Sequence, residues 1–171
     1  PFEELPMIQK TIIDKCREKG KLVITATQML DSMIRQPRPT RAEVNDVSIA
    51  IDEGTSAIML SGETAAGKYP VEALKAMSKI SLAREQAINY WERFSRWKIG
   101  EALNISDAIS HATCAIAMNL KASAIITVTK SGLTAQMISR FRPECQVIAA
   151  TSSKKVLRQL SLVWGVRPVY M

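Results

Sequence analysis

The run KLVITATQMLDSMIRQPRPTRAEVNDVSIAIDEGTSAIMLSGE, residues 21 to 63, decides the fold class. It opens with a short apolar strand, KLVITAT, that ends in alternating threonines. A loop follows that carries Arg35, Arg38 and Arg41 beside Pro37 and Pro39. Thr40 and Glu43 then form a capping box, the signature of a helix start. Val44, Val47 and Ile51 supply an apolar stripe of helical period, and Gly54 supplies the stop. TSAIMLS is the next strand. Helices alternating with short apolar strands imply parallel sheets covered on both faces, an α/β fold.

The same alternation extends both ways. Upstream, LPMIQKTIIDKCREKG places Ile8, Ile12 and Cys16 on one helical face and ends at Gly20. Downstream, YPVEALKAMSKISLAREQAINY is a long helix with Pro70 in its first turn. The segment 91 to 103 breaks the rhythm: it is aromatic and basic without a sustained period, and we read it as a linker. Beyond it come helix SDAISHATCAIAMNL, strand SAIITVT, helix TAQMISRFR, strand QVIAAT, helix SKKVLRQLSLVW and strand VRPVYM. Residues 1 to 90 thus hold two strands, too few for a sheet that stands alone. They read as part of a larger domain, and residues 104 to 171 as a partial three-layer α/β domain with a mainly parallel sheet. A chain that starts at Pro1 also looks cut from something longer.

Composition narrows the class. Hydrophobic residues make up 47% and charged residues 23% of the 171, which is ordinary for a soluble globular protein. The apolar runs are too short and too interrupted to cross a membrane, and FEELPM is too acidic for a signal peptide. Cys16, Cys114 and Cys145 are odd in number and show no CxxC spacing, which argues against a disulfide framework or a zinc site and for a reducing, cytoplasmic setting. The net charge of +7 is uneven: residues 1 to 90 balance 12 basic with 12 acidic side chains, whereas residues 91 to 171 carry 11 against 4. That excess fits an anionic partner or a missing acidic segment. It fits nucleic acid poorly, because the basic residues are scattered and aromatics for stacking are few.

Ligands of parallel α/β folds gather at the carboxyl ends of strands, and three such ends are unusually polar. At the first, Thr25 and Thr27 point the same way on an alternating strand, and Thr27 and Gln28 fall at its mouth. A hydroxyl there can bind a carboxylate or phosphate, pass a proton, or simply satisfy strand-end backbone groups. The second, SGETAAGKYP, matches GxxxxGK between strand and helix. Tyr69 and Pro70 stand where magnesium binding needs Ser or Thr, and Glu63 would repel phosphates, so a P-loop is rejected. At the third, Thr129, Lys130, Ser131, Gly132 and Thr134 gather where a strand turns into a helix. This group suits a phosphate, or caps the helix. His111 has no ligand partners at metal spacing and reads as an ordinary helix histidine.

The ordered series VITATQMLDSMIRQPRPTRAEVNDV, GTSAIMLSGETAAGKYPVEA and TKSGLTAQMISRFRP resembles the pyruvate kinase family along essentially the whole chain. The resemblance implies that residues 1 to 90 are the last part of a (β/α)8 TIM barrel, with KLVITATQ as its seventh strand and TSAIMLSGE as its eighth. It also implies that residues 104 to 171 are the front of the C-terminal regulatory domain.

For function, the resemblance implies a bacterial-type glycolytic phosphotransferase. Phosphoenolpyruvate gives its phosphoryl group to ADP, forming ATP and an enolate that is protonated to pyruvate. Thr27 matches the threonine that meets substrate and joins the proton-delivering chain of hydroxyl and water. Ser61 and Glu63 match residues supporting that relay, and Gln28 helps to shape the site. A threonine is too weak an acid to donate alone, so delivery through water is the sensible chemistry. Thr129, Lys130, Ser131, Gly132 and Thr134 match a loop that binds the phosphate of an allosteric effector. Mg²⁺ and K⁺ are expected for the full-length enzyme, with ligands outside this sequence, so no metal ligand is assigned and the stretch alone is expected to be inactive. A homotetramer is the family's usual assembly. The rival reading is a non-catalytic metabolite-sensing or assembly module.

Overall fold

The computed structural model describes residues 1–96 and 104–171, and these fall into two compact units, Pro1–Ile88 and Asn89–Met171.

In the first unit, helix α1 (Leu5–Glu18) leads to strand β1 (Ile24–Ala26), and a 3-10 turn (Asp31–Ile34) precedes helix α2 (Arg41–Glu53). Strand β2 (Ala57–Met59), a single helical turn α3 (Gly62–Ala65) and the long helix α4 (Pro70–Gln86) complete it. β1 and β2 pair in parallel, from Ile24↔Ala57 to Ala26↔Met59, as a strand–helix–strand unit requires. The capping box at α2 is fully formed, and Gly54 closes the helix at φ +88°, where a side chain would be strained. Leu30, Met33, Val47, Ala50, Ile51, Ala73 and Met77 make the core. One expectation fails: Ile8 and Ile12 are about half exposed, whereas Ile13 is buried. The side of α1 that meets α2 runs through Gln9, Ile13 and Arg17, with Gln9 Nε2 bonded to Glu53 at 2.8 Å and Arg17 packed beside Gly54.

In the second unit, α5 (Tyr90–Ser95) and α6 (Ile105–Asn119) precede β3 (Ala124–Val128), α7 (Leu133–Ser139), β4 (Gln146–Thr151), α8 (Lys154–Leu160) and β5 (Val166–Tyr170). The three strands are all parallel, in the order β3-β4-β5. Asp107, Ser110, Cys114 and Ala117 form the buried stripe of α6 at helical spacing. On the sheet, Ile125, Val147 and Ala149 are buried while Ile126 and Val128 are exposed, so one face is covered among the described residues. The further layer expected on the other face is not among them.

The segment read as a linker divides. Residues 90 to 95 form α5, and Phe94 joins the second core beside Cys114, Ile138 and Phe141. Its aromatic content serves packing: Phe94 stacks on His111 at 4.6 Å, and Phe141 meets the same imidazole edge-on at 5.3 Å. The remainder of the expected linker, residues 97 to 103, lies outside the described residues.

Candidate functional site

Because β1 and β2 are parallel, both release their chains at the same end of the sheet. The expected alternation Thr25-Thr27 does not hold there. β1 ends at Ala26, and Thr27 and Gln28 both take the left-handed conformation, at φ +70° and +56°. For residues with a Cβ this costs energy, on the order of 1 kcal/mol or more each. Thr27 and Gln28 are exposed at the strand mouth. Thr25 instead stitches the two strands together: its hydroxyl donates to Thr55 Oγ1 at 2.9 Å, and Thr55 reaches the carbonyls of Val23 and Ala57.

The Thr27 hydroxyl donates to the carbonyl of Ala26 at 2.6 Å. Its lone pairs therefore face outward, ready to accept, while its proton is parked on the backbone. Donating that proton to a bound molecule requires rotation about the side chain, and water must then restore it. This geometry suits one member of a relay better than a lone acid.

Beyond the end of β2, Ser61 is the N-cap residue of α3. Glu63 is only 2% exposed. One of its carboxylate oxygens accepts from Leu30 N–H at 3.0 Å and the other from Ser61 N–H at 2.8 Å. The side chain thus ties the β1 exit to the β2 exit. Gly67 is required where it stands, since a Cβ there would lie 2.4 Å from Glu63 O. Helical turn α3 occupies the place that a phosphate-cradling loop would need, in keeping with the rejection of the GxxxxGK match.

The third strand end lies in the second unit, where β3 runs beside β4 from Ala124↔Gln146 to Val128↔Ala150. Thr129 is 5% exposed; its N–H donates to Ala150 O and its Oγ1 accepts from Gly132 N–H, both at 2.9 Å. Gly132 is the N-cap of α7 at φ +86°, and a Cβ on it would press on Val156 and Leu160 at 3.2 Å. Thr129 and Gly132 therefore build the loop, whereas Lys130, Ser131 and Thr134 are exposed on it. Ser131 Oγ accepts from Leu133 N–H at 3.4 Å, and the N-cap residue itself, Gly132, has no side chain with which to cap α7.

A sequence profile described as the barrel domain of pyruvate kinase matches residues 1–74, and one described as its alpha/beta domain matches residues 107–171. The chain belongs to the pyruvate kinase family. It is 54% identical to the pyruvate kinase of Clostridium acetobutylicum over 169 residues, covering 99% of this chain and 36% of that protein. With the pyruvate kinase of Sporosarcina psychrophila it shares 54% over 169 residues, covering 99% of this chain and 29% of that protein. It superposes on the crystal structure of a pyruvate kinase from Cryptosporidium parvum with a TM-score of 0.96 at 39% identity, covering 100% of this chain and 35% of that one. The chain thus spans about a third of the length of these pyruvate kinases. Its α/β fold with parallel sheets is accordingly a portion of the pyruvate kinase barrel followed by the pyruvate kinase alpha/beta domain.

No group of three or more His, Cys, Asp or Glu side chains that could hold a metal ion occurs among the described residues. The buried carboxylate of Glu63 is occupied by backbone donors. The described residues do not fit the metal centre expected of a pyruvate kinase. No helix among the described residues is long and apolar enough to cross a membrane.

Two features of the pyruvate kinase portion escaped sequence reasoning. The left-handed pair at Thr27 leaves no compositional mark, since glycine is the usual sign of such a backbone. Glu43 showed only as a capping residue. In the structure its carboxylate also accepts from Ser32 N–H and Ser32 Oγ, both at 2.6 Å. The signal for that second role was a serine in a loop rich in turn residues, which sequence alone cannot pair.

Proposed function

We propose that the full-length protein carrying this chain is a cytoplasmic pyruvate kinase that moves the phosphoryl group of phosphoenolpyruvate to ADP and protonates the resulting enolate. The observation that supports this reading is the exposed Thr27 hydroxyl, set by a left-handed backbone at the carboxyl end of β1 beside the exit of β2. In this reading Thr27 meets substrate and passes a proton taken from water. Gln28 shapes the same rim, Ser61 supports the water chain, and Glu63 holds the two exits in register. Mg²⁺ and K⁺ are the proposed cofactors of the full-length protein; residues other than these would hold them, and they would supply positive charge to the phosphoryl group.

The loop of Thr129, Lys130, Ser131, Gly132 and Thr134 is the proposed seat of an effector phosphate, with Lys130 supplying charge and the exposed Ser131 and Thr134 supplying hydroxyls. A homotetramer is the proposed assembly.

The test is coupled pyruvate formation by the full-length protein with phosphoenolpyruvate, ADP, Mg²⁺ and K⁺, wild type beside Thr27→Ala. A loss on the order of 10²-fold or more in kcat is expected for a group in the proton path. A variant that keeps its full rate would remove Thr27 from the chemistry. The 171-residue chain by itself is expected to form no pyruvate.

A further inference from the structure

We propose that Glu43 is a positioning residue for the Thr27 site, acting through the segment Met29–Ile34 as a rigid plug. This rests on the reading of Thr27 given above. The carboxylate of Glu43 is the hub of two separate pieces of chain. Thr40 gives it a backbone N–H at 2.7 Å and a hydroxyl at 2.9 Å, and Ser32 gives it a backbone N–H and a hydroxyl, both at 2.6 Å. A capping box needs only the Thr40 half. The Ser32 half fastens the start of α2 to the turn that follows the strand mouth.

That turn has further anchors, each at a different point. Met29, Leu30 and Met33 are buried, and Met33 N–H bonds to Leu30 O at 2.8 Å. Leu30 N–H is held by Glu63, while Ile34 O accepts from Lys68 N–H at 2.9 Å. The left-handed pair Thr27–Gln28 is the short span between β1 and this plug. Strained backbone of that kind persists only where its two ends are over-determined. β1 fixes one end through its pairing with β2. Glu63 fixes the other end at Leu30, and Glu43 fixes it at Ser32. Without the Glu43 anchor the turn can slide, and the pair can relax to an ordinary backbone that withdraws the Thr27 hydroxyl.

The experiment is a double-mutant cycle in the full-length protein, with Glu43→Gln, Thr27→Ala and their combination assayed for kcat and KM. Glutamine keeps the size but offers one acceptor oxygen where four donors converge. Glu43→Gln alone is expected to lower kcat by about 10-fold with KM changed less than kcat, and to add less than about 2-fold in the Thr27→Ala background, as coupled residues do. Equal effects of Glu43→Gln in both backgrounds, or no effect on kcat in the wild type, would overturn the proposal. If Thr27→Ala alone has no effect, it is the Thr27 reading that fails, and the two failures are distinct. Ser32→Ala, which removes one donor and leaves the capping box whole, guards against a folding defect: it is expected to lower kcat in the same direction with an unchanged melting temperature. A kcat equal to wild type in a folded Ser32→Ala enzyme would count against the plug.

Discussion

The chain turns out of a strand into left-handed backbone in both units, but by opposite means. At the β3 exit the left-handed residue is Gly132, and the space where its Cβ would go is filled by Val156 and Leu160. At the β1 exit the left-handed residues are Thr27 and Gln28, which carry side chains and are exposed. The first loop is relaxed and shaped by packing. The second is strained and held by carboxylates, Glu63 from one side and Glu43 from the other. A side chain that must project from a mouth cannot be glycine, so the strain there buys a hydroxyl in a fixed place.

This contrast can be broken in four ways. The largest expected effect is Glu63→Ala, which leaves the buried Leu30 N–H and the half-buried Ser61 N–H without their acceptors and costs on the order of 3 kcal/mol. Chemical denaturation of the full-length protein checks it, and a loss below about 1 kcal/mol would mean the two exits are not tied by this residue. Next is Gly132→Ala in the second unit, which places a Cβ at positive φ against two packed side chains and is expected to destabilise by about 1–3 kcal/mol. Thr27→Gly should do the reverse, stabilising by up to about 1 kcal/mol because glycine accepts the backbone without strain, while pyruvate formation falls. A destabilised Thr27→Gly protein would show that the left-handed pair is not strained.

The smallest effects are in pH. Burial between Phe94 and Phe141 pushes the His111 imidazole below its ordinary value of 6.5. The unfolded chain therefore takes up a proton before the folded one, and stability of the second unit is lost as pH falls below about 6.5. His111→Phe should flatten that slope. In the first unit, burial alone would raise the Glu43 carboxyl, but hydrogen bonds from Ser32 and Thr40 outweigh it and hold it below its ordinary 4.5. Its contribution is present above that value and is lost only as pH falls further, through the depressed folded value. Acid should therefore loosen the second unit first, as urea titrations at stepped pH would read.

Much of this was legible in the sequence because the signals are local. The capping box at Thr40, the helix stop at Gly54 and the parallel strands all follow from spacing, turn residues and period. At the third strand end the sequence showed a polar turn between strand and helix, but not that the Thr129 hydroxyl accepts from Gly132 N–H inside it. The buried face of α1 was misjudged, because the stripe through Ile13 is chosen by where α2 lies and not by which residues are most apolar. Segment 91 to 96 reads as linker in the sequence because Phe94 finds its partners 17 and 47 residues away, at His111 and Phe141.

The sequence by itself determined the order of elements, the parallel α/β class and the resemblance to pyruvate kinase, because these depend on short-range periodicity and ordered motifs. Only the tertiary structure decided that Thr27 leaves the strand in a left-handed turn, that Glu63 joins two exits, and that Glu43 reaches Ser32. Each of those depends on a hydrogen bond or a strain between residues distant in the chain. No local pattern encodes which donor a buried carboxylate will meet.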